Sequence, residues 1–274
     1  MRTILRLCLF SCFPAFVIPL TSKGQDATWA LNPVSSDWTT AENWVPQMVP
    51  YDVATFDVSN LPTVDIASFL TGVNGFIFTA QASAFTITSL PGSSLYFGGK
   101  GILNKSGATQ NFVVAHADDG TPGEITFIGQ ATIKGSVNLL TTGGNYGNFQ
   151  FQQNSSAGEA SITNNGSSTS TVDGGFTGIF DYSGAGHSTI INGAAQAPDG
   201  TGGATYLEDN SRGDKATITA EGASFSGGLG GLILLEDEAA AQSATLIAQG
   251  GSSGGAGGLI KFQDTSTGDT AVIQ

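Results

Sequence analysis

The segment Leu207-Glu208-Asp209-Asn210-Ser211-Arg212-Gly213-Asp214-Lys215-Ala216-Thr217-Ile218 sets a pattern that the second half of the chain repeats. An apolar residue is followed by Asp at +2, a small residue at +4 and +6, Ala at +9 and an aliphatic at +11. Phe262 opens the same series with Asp264, Ser266, Gly268, Ala271 and Ile273, and Leu235 opens it with Asp237, Ala239, Ala241, Ala244 and Leu246. Ile179 and Phe151 open two looser copies. The five anchors 151, 179, 207, 235 and 262 lie 28, 28, 28 and 27 residues apart, a period that marks a stacked repeat architecture.

Each copy carries two short β-type segments around a polar turn. Strand side chains change face at every residue, so alternation assigns the inward positions. They are Thr205 with Leu207, Ile233 with Leu235, Ile260 with Phe262 and Phe149 with Phe151. In the second segment they are Ala216 with Ile218, Ala244 with Leu246, Ala271 with Ile273 and Ala160 with Ile162. A third segment is expected through Phe225 and its equivalents Thr169, Ala197 and Ser253, giving a three-sided coil. Stacked in parallel at about 4.8 Å, such coils share a narrow apolar core that no single repeat could bury. The glycine pairs Gly174-Gly175, Gly202-Gly203, Gly230-Gly231 and Gly257-Gly258 precede the first segment of successive coils. They are expected to supply positive φ at a corner. The Ala-rich run from Glu236 to Ala244 falls in register with strand and turn positions of its neighbours, so no helix is expected after the leader.

Residues 1–24 read as a secretory signal: Arg2 and Arg6, an apolar run from Leu7 to Leu20, and Ser22-Lys23-Gly24 as cleavage site. The alternatives are a signal anchor, for which the run is short and broken by Pro14 and Pro19, and a lipobox at Leu9-Phe10-Ser11-Cys12, where Phe10 is bulky. Both cysteines, Cys8 and Cys12, lie in this leader, so the mature chain forgoes disulfides and draws its stability from stacking. The chain has 9 Lys and Arg against 22 Asp and Glu; without Arg2, Arg6 and Lys23, 6 basic residues remain and the net charge falls from −13 to −16. Nucleic acid and anionic lipid are disfavoured as partners, because both need neutralising cations. No membrane span is expected in the mature chain.

All three tryptophans fall between residues 25 and 62, in Trp29, Ser36-Asp37-Trp38 and Ala41-Glu42-Asn43-Trp44, followed by Val49-Pro50 and Asp52-Val53-Ala54-Thr55-Phe56. A solenoid must close its first coil, and this region reads as that cap; the alternative is an aromatic platform for sugar. Residues 63–146 carry irregular coils, with short strands at Phe76-Ile77-Phe78, Phe85-Thr86-Ile87, Leu95-Tyr96-Phe97, Ile102-Leu103, Phe112-Val113-Val114 and Ile125-Thr126-Phe127. Residues 147–274 carry the regular coils. Gln274 follows Ile273 in mid-coil, and the reading expects the protein to continue beyond it.

The ordered set Trp, Ser-x-Asp-Trp, Ala-x-Asn-Trp, Val-Pro and Asp-x-Ala-Thr-Phe in 29–56, with Ala84-Phe85-Thr86-Ile87-Thr88, Ser106-Gly107-Ala108-Thr109-Gln110-Asn111-Phe112 and the Phe-x-Asp-x-Ser copies, resembles bacterial autotransporter-associated β-strand repeat proteins. The resemblance implies an all-β, right-handed parallel β-solenoid (β-helix), secreted or displayed at the cell surface as a passenger-like region. It carries over no catalytic residues, and no translocator barrel is present in this sequence.

Three chemistries are weighed on this scaffold. Asp181, Asp209, Asp237 and Asp264 share one repeat position, so their carboxylates form a column that needs a cation or donors between them. Weak calcium binding at Asp209 and Asp237 is one reading, and capping of each Asp's own turn is the other. A polysaccharide lyase or hydrolase would have Arg212 and Lys215 as its candidates beside that column. His116 and His187 sit in turn-like sequence and read as solvated, so no catalytic set is expected. Ser161, Thr189, Thr217 and Thr245 form an outward column beside Thr163, Ile191, Thr219 and Ile247, which could match ice or another crystal, although strand propensity alone also delivers outward Thr. The favoured function is a structural or adhesin-like surface protein whose partners are surface glycans or other cell-surface components.

Overall fold

A computed structural model describes residues 24–117, 121–142 and 147–274. The leader expected over 1–24, with its cysteines and lipobox alternative, lies outside the described residues apart from Gly24. Two parallel sheets, one of twelve strands and one of nine, run the length of the molecule and make a β-solenoid of about nine turns roughly 27 residues apart. Each regular coil contributes one four-residue strand to each sheet, for example Ala204–Leu207 to the first and Thr217–Ala220 to the second. Residues 179, 207, 235 and 262 stack in register, as the period requires. The single helical element among the described residues is the 3-10 turn Ala41–Asn43, and the Ala-rich run from Glu236 is two tight turns around a one-residue bridge at Ala240.

The inward assignments hold up to Leu246. In the last coil Ile260, Phe262 and Ala271 are only partly buried and Ile273 is 57% exposed, whereas Leu207, Ile218, Ile233, Leu235, Ala244 and Leu246 are buried to 1% exposure or less. Buried polar side chains join them. Asn164 and Asn192 close the inner end of their strands, and the Asn164 amide donates to Asn192 Oδ1 at 2.8 Å and to the Ala204 carbonyl at 2.9 Å. Thr177 donates to Asn164 Oδ1 at 3.0 Å and Thr205 to Asn192 Oδ1 at 2.9 Å. In the next coil both partners change together, to Ala220 and Ile233, so the hydrogen-bonded couple of these two coils gives way to an apolar one.

The third side differs from expectation. Phe225 and its equivalents Thr169, Ala197 and Ser253 form no strand; that part of each coil is a loop pinched at its base, with the Gly231 N–H donating to Glu221 O at 2.8 Å and the Gly203 N–H to Gly193 O at 2.7 Å. The third ladder lies instead between the two strands, where Thr132, Ser156, Gly184, Arg212, Ala240 and Thr267 pair one residue at a time. The glycine pairs also act otherwise than expected. None of them has positive φ; a Cβ on Gly203 or Gly231 would sit 2.0 or 2.1 Å from the carbonyl oxygen of Asn164 or Asn192, and one on Gly202 or Gly230 2.2 Å from the carbonyl of the next coil's glycine. At these four positions, and at Gly174 and Gly258, glycine is required because backbone meets backbone; a Cβ on Gly175 would meet the Thr141 side chain instead, and one on Gly257 would have its nearest neighbour at 3.3 Å.

At the other end, Trp44–Val45 pairs antiparallel with Ala27–Trp29 and terminates the first sheet. Trp29, Trp38 and Trp44 are at most 2% exposed and pack edge to face, with ring centroids 5.0 and 4.7 Å apart, so they are the core of the cap and form no open platform. Asn43 holds the cap's loop: its side-chain oxygen accepts the Val34 and Ser35 N–H groups at 2.8 and 3.0 Å, and its amide donates to Asp37 O at 2.7 Å. Val53–Phe56 already stacks in parallel on Thr71–Phe78, so the cap gives way to the first coil before residue 62. In the irregular coils, Leu95–Phe97 and Ile102–Leu103 belong to one eleven-residue strand, Ser94–Asn104.

Candidate functional site

The aspartate column is a set of corners. Asp181, Asp209, Asp237 and Asp264 have φ of 56, 58, 54 and 53°, each as the first central residue of a four-residue turn such as that closed by the Ser211 N–H on Glu208 O at 3.2 Å. Asp tolerates this left-handed region better than most residues, because its short polar side chain finds local donors. The donor comes from the preceding coil, not from the same turn. Asp181 Oδ2 accepts the Gln153 N–H at 2.8 Å, Asp209 Oδ2 the Asp181 N–H at 3.1 Å and Asp237 Oδ2 the Asp209 N–H at 3.4 Å. Asp209 and Asp237 therefore stand in consecutive coils, linked through a backbone amide. Among the described residues there is no cluster of three or more His, Cys, Asp or Glu.

A second corner, which the sequence reading missed, runs through Gly158, Gly186, Asp214, Gln242 and Asp269 with φ of 59, 66, 51, 53 and 44°. Its signal was the recurrence of Gly, Asp or Gln at one position per period. Asp214 Oδ2 accepts the Gly186 N–H at 2.8 Å, and its other oxygen pairs with Arg212 Nε at 3.3 Å. The Arg212 guanidinium also donates from Nη1 to the Tyr182 carbonyl at 2.7 Å, so it staples one corner to the previous coil. Lys215 and His187 line a shallow depression of about 320 Å³ with Asp214, while His116 is remote from it and its Nδ1 lies 2.9 Å from Thr142 Oγ1.

The outer face of the second sheet is regular. Ser161, Thr189, Thr217 and Thr245 pair in register, as do Thr163, Ile191, Thr219 and Ile247 beside them. On the first sheet lies an apolar groove of about 390 Å³ that the sequence reading did not anticipate. Phe176, Tyr206, Leu229, Leu232 and Leu259 wall it above a shelf of paired glycines, and the Phe176 and Tyr206 rings meet edge to face at 5.5 Å. The available signal was the outward column Phe176, Ala204, Leu232 and Leu259, which is apolar where a solvated face would be polar.

Stacked parallel coils, two left-handed corners in each regular turn and an aromatic cap place the protein in the class of parallel β-solenoids. Beyond that class, the chain matches no family model, no curated protein and no solved structure.

Proposed function

We propose that this protein is an exported structural or adhesin-like β-solenoid, similar in kind to an autotransporter passenger, that meets surface glycans or other cell-surface components along its repeated faces. The observation that carries the reading is the outer face of the second sheet, whose Ser161–Thr245 and Thr163–Ile247 columns repeat one small hydroxyl or aliphatic group per coil. Many weak, evenly spaced contacts add up by avidity, whereas chemistry on a substrate needs a few convergent groups. No helix among the described residues is long and apolar enough to cross a membrane. Expression of the full chain in a bacterial host, with fractionation and N-terminal sequencing, should give export with cleavage after Gly24; a glycan array on the purified protein should then give binding without degradation. Retention of an uncleaved cytoplasmic chain, or release of reducing ends that depends on Arg212 or Lys215, would overturn the reading in favour of a cytoplasmic role or of a polysaccharide lyase.

The threonine column favours a second reading, binding to an ice or other crystal lattice, which thermal hysteresis lost in Thr217→Tyr would support. Calcium between Asp209 and Asp237 belongs to the proposal as a weak, about millimolar, site. Titration calorimetry on the wild type and on Asp209→Asn with Asp237→Asn tests it.

A further inference from the structure

The chain is strongly acidic, yet half of its basic residues after Lys23 gather at one place. Six remain, Lys100, Lys105, Lys134, Arg212, Lys215 and Lys261, and the first three line a single groove of about 870 Å³. All three are exposed, and among the described residues the only ion pair is Arg212 with Asp214, so these lysines have no carboxylate of their own. One carboxylate, that of Asp52, shares the groove, and it accepts the Asn74 side-chain amide at 2.7 Å.

The groove is built by an irregularity in the sheet. Register slips between Val73 and Gly75, and the long strand Ser94–Asn104 pairs Gly101 with Gly75 on one side and with Thr132 on the other. A Cβ on Gly75 would lie 2.9 Å from the Gly101 carbonyl oxygen, and one on Gly101, whose φ is +81°, 2.4 Å from the Thr132 carbonyl oxygen. The floor is therefore bare backbone, and the lysines stand at its margin. Beside it, Ile77, Leu103 and Lys134 form one outward row across three strands. Asn74, Gln130 and Thr132 add hydrogen-bonding groups to the lining.

We infer that this groove is a binding site for an acidic polysaccharide, with Lys100, Lys105 and Lys134 holding its carboxylate or sulfate groups. Cations at intervals suit negative charges spaced along a chain, Ile77 and Leu103 suit the apolar faces of sugar rings between them, and the Asn, Gln and Thr groups suit hydroxyls. A densely charged partner such as nucleic acid does not fit. Three cations neutralise few of its closely spaced phosphates, whereas they match the more widely spaced charges of a sparsely charged polysaccharide. The inference stands apart from the question of export, since it concerns the purified chain.

The probes are size-matched oligogalacturonate, a sparsely sulfated dextran and neutral dextran, offered to the full chain in calorimetry. The carboxylated or the sulfated probe, or both, should bind and weaken with added salt, and which of them binds names the charged group. Lys100→Gln with Lys105→Gln and Lys134→Gln should weaken binding by about tenfold or more, since three exposed charge pairs are removed. Lys215→Gln with Lys261→Gln should leave it unchanged. As a readout that needs no folded triple variant, the dimethyl-lysine NMR signals of the reductively methylated wild type should shift on binding at residues 100, 105 and 134, and not at 215 and 261. Absence of binding by both acidic probes, equal binding of neutral dextran, or shifts confined to Lys215 and Lys261 would each overturn the inference.

Discussion

Between residues 53 and 151 the core is a column of phenylalanines, whereas from residue 176 onward it is aliphatic with buried Asn and Thr. Phe97, Phe127 and Phe151 stack face to face at 4.8 Å intervals, and Phe56 lies on Phe78 at 4.9 Å. Beyond Phe151 the same column continues as Ile179, Leu207 and Leu235. Coil length changes with the core. The second sheet's first strands align residues 63, 86, 111, 138 and 161, intervals of 23, 25, 27 and 23, and then 189, 217, 245 and 272, intervals of 28, 28, 28 and 27. Large rings bury enough area per coil to tolerate loops of varying length. Smaller side chains bury less, and the regular coils instead hold their spacing through backbone-level fits: left-handed Asp corners, glycine pairs and amide-to-carboxylate bonds between coils.

The largest effect should come from breaking the regular half at its centre. Ile218 is fully buried and in register between Ile190 and Leu246, so Ile218→Asp puts a charge in a narrow core with no partner, at a cost of about 4 kcal/mol or more. Because coils contact mainly their neighbours, hydrogen exchange should rise in the strands around Thr217–Ala220 while Val53–Phe56 and Glu124–Phe127 keep their protection. Uniform loss of protection would mean that the two halves fold as one unit, and the contrast drawn between them would fail.

Next in size is the test of what the glycine pairs do. Gly231→Ala places a methyl 2.1 Å from the Asn192 carbonyl oxygen, in backbone that cannot step aside, and should cost about 3 kcal/mol. Gly227 has φ of +81° but its nearest neighbour to a new Cβ is 3.5 Å away, so Gly227→Ala should cost only the left-handed penalty of about 1 kcal/mol. Equal costs in denaturant melts would restore the conformational role that the sequence suggests for the pairs.

That glycine role shows where sequence reading stops. The two strands and their inward residues were legible, because a period of two inside a period of 28 leaves Leu207 or Ile218 no other face to occupy. The pinched loop was not: Phe225, Thr169, Ala197 and Ser253 share no chemistry, and backbone groups such as the Gly231 N–H hold the loop whatever the side chains. The Asp column was visible as a column, but its positive φ and its acceptor role toward the previous coil follow only from the turn it sits in. The lysine groove escaped notice because Lys100, Lys105 and Lys134 lie in the coils without a fixed period, and a register slip brings them together.

A smaller effect separates the hydrogen-bonded cells from the apolar ones. Asn192→Ala strands the Thr205 hydroxyl and Thr205→Ile strands an Asn192 lone pair, each inside a buried cell, so each single change should cost about 1–3 kcal/mol. The double change recreates Ala220 with Ile233 of the next coil and should recover the share of the loss that belongs to the Thr205–Asn192 bond, while the bonds of Asn192 to Asn164 and to the Leu232 carbonyl stay lost. A double-mutant cycle with no coupling would show that the paired change between coils is coincidental.

The smallest effect lies in the irregular half and appears only at high pH. Tyr96 is on the outer face of the first sheet, in register with Thr126, and its phenol is pushed up from 10.0 to about 12, first by burial and then by the charge and hydrogen bond of Glu124. Folding therefore favours the neutral phenol. Its contribution is fully present below pH 10, where the unfolded chain also keeps the proton, and is lost as pH rises toward 12, where the unfolded chain has ionised first. The side chain is half exposed, so the loss is modest. Melting curves of the wild type should fall more steeply than those of Tyr96→Phe between pH 10 and 12. Glu124→Gln should bring the phenol's titration down only part of the way, because burial, the larger cause, remains. If the Tyr96 phenol titrates near 10.0, it is more open than its setting beside Glu124 requires, and the irregular coils are looser than the phenylalanine column beneath them implies.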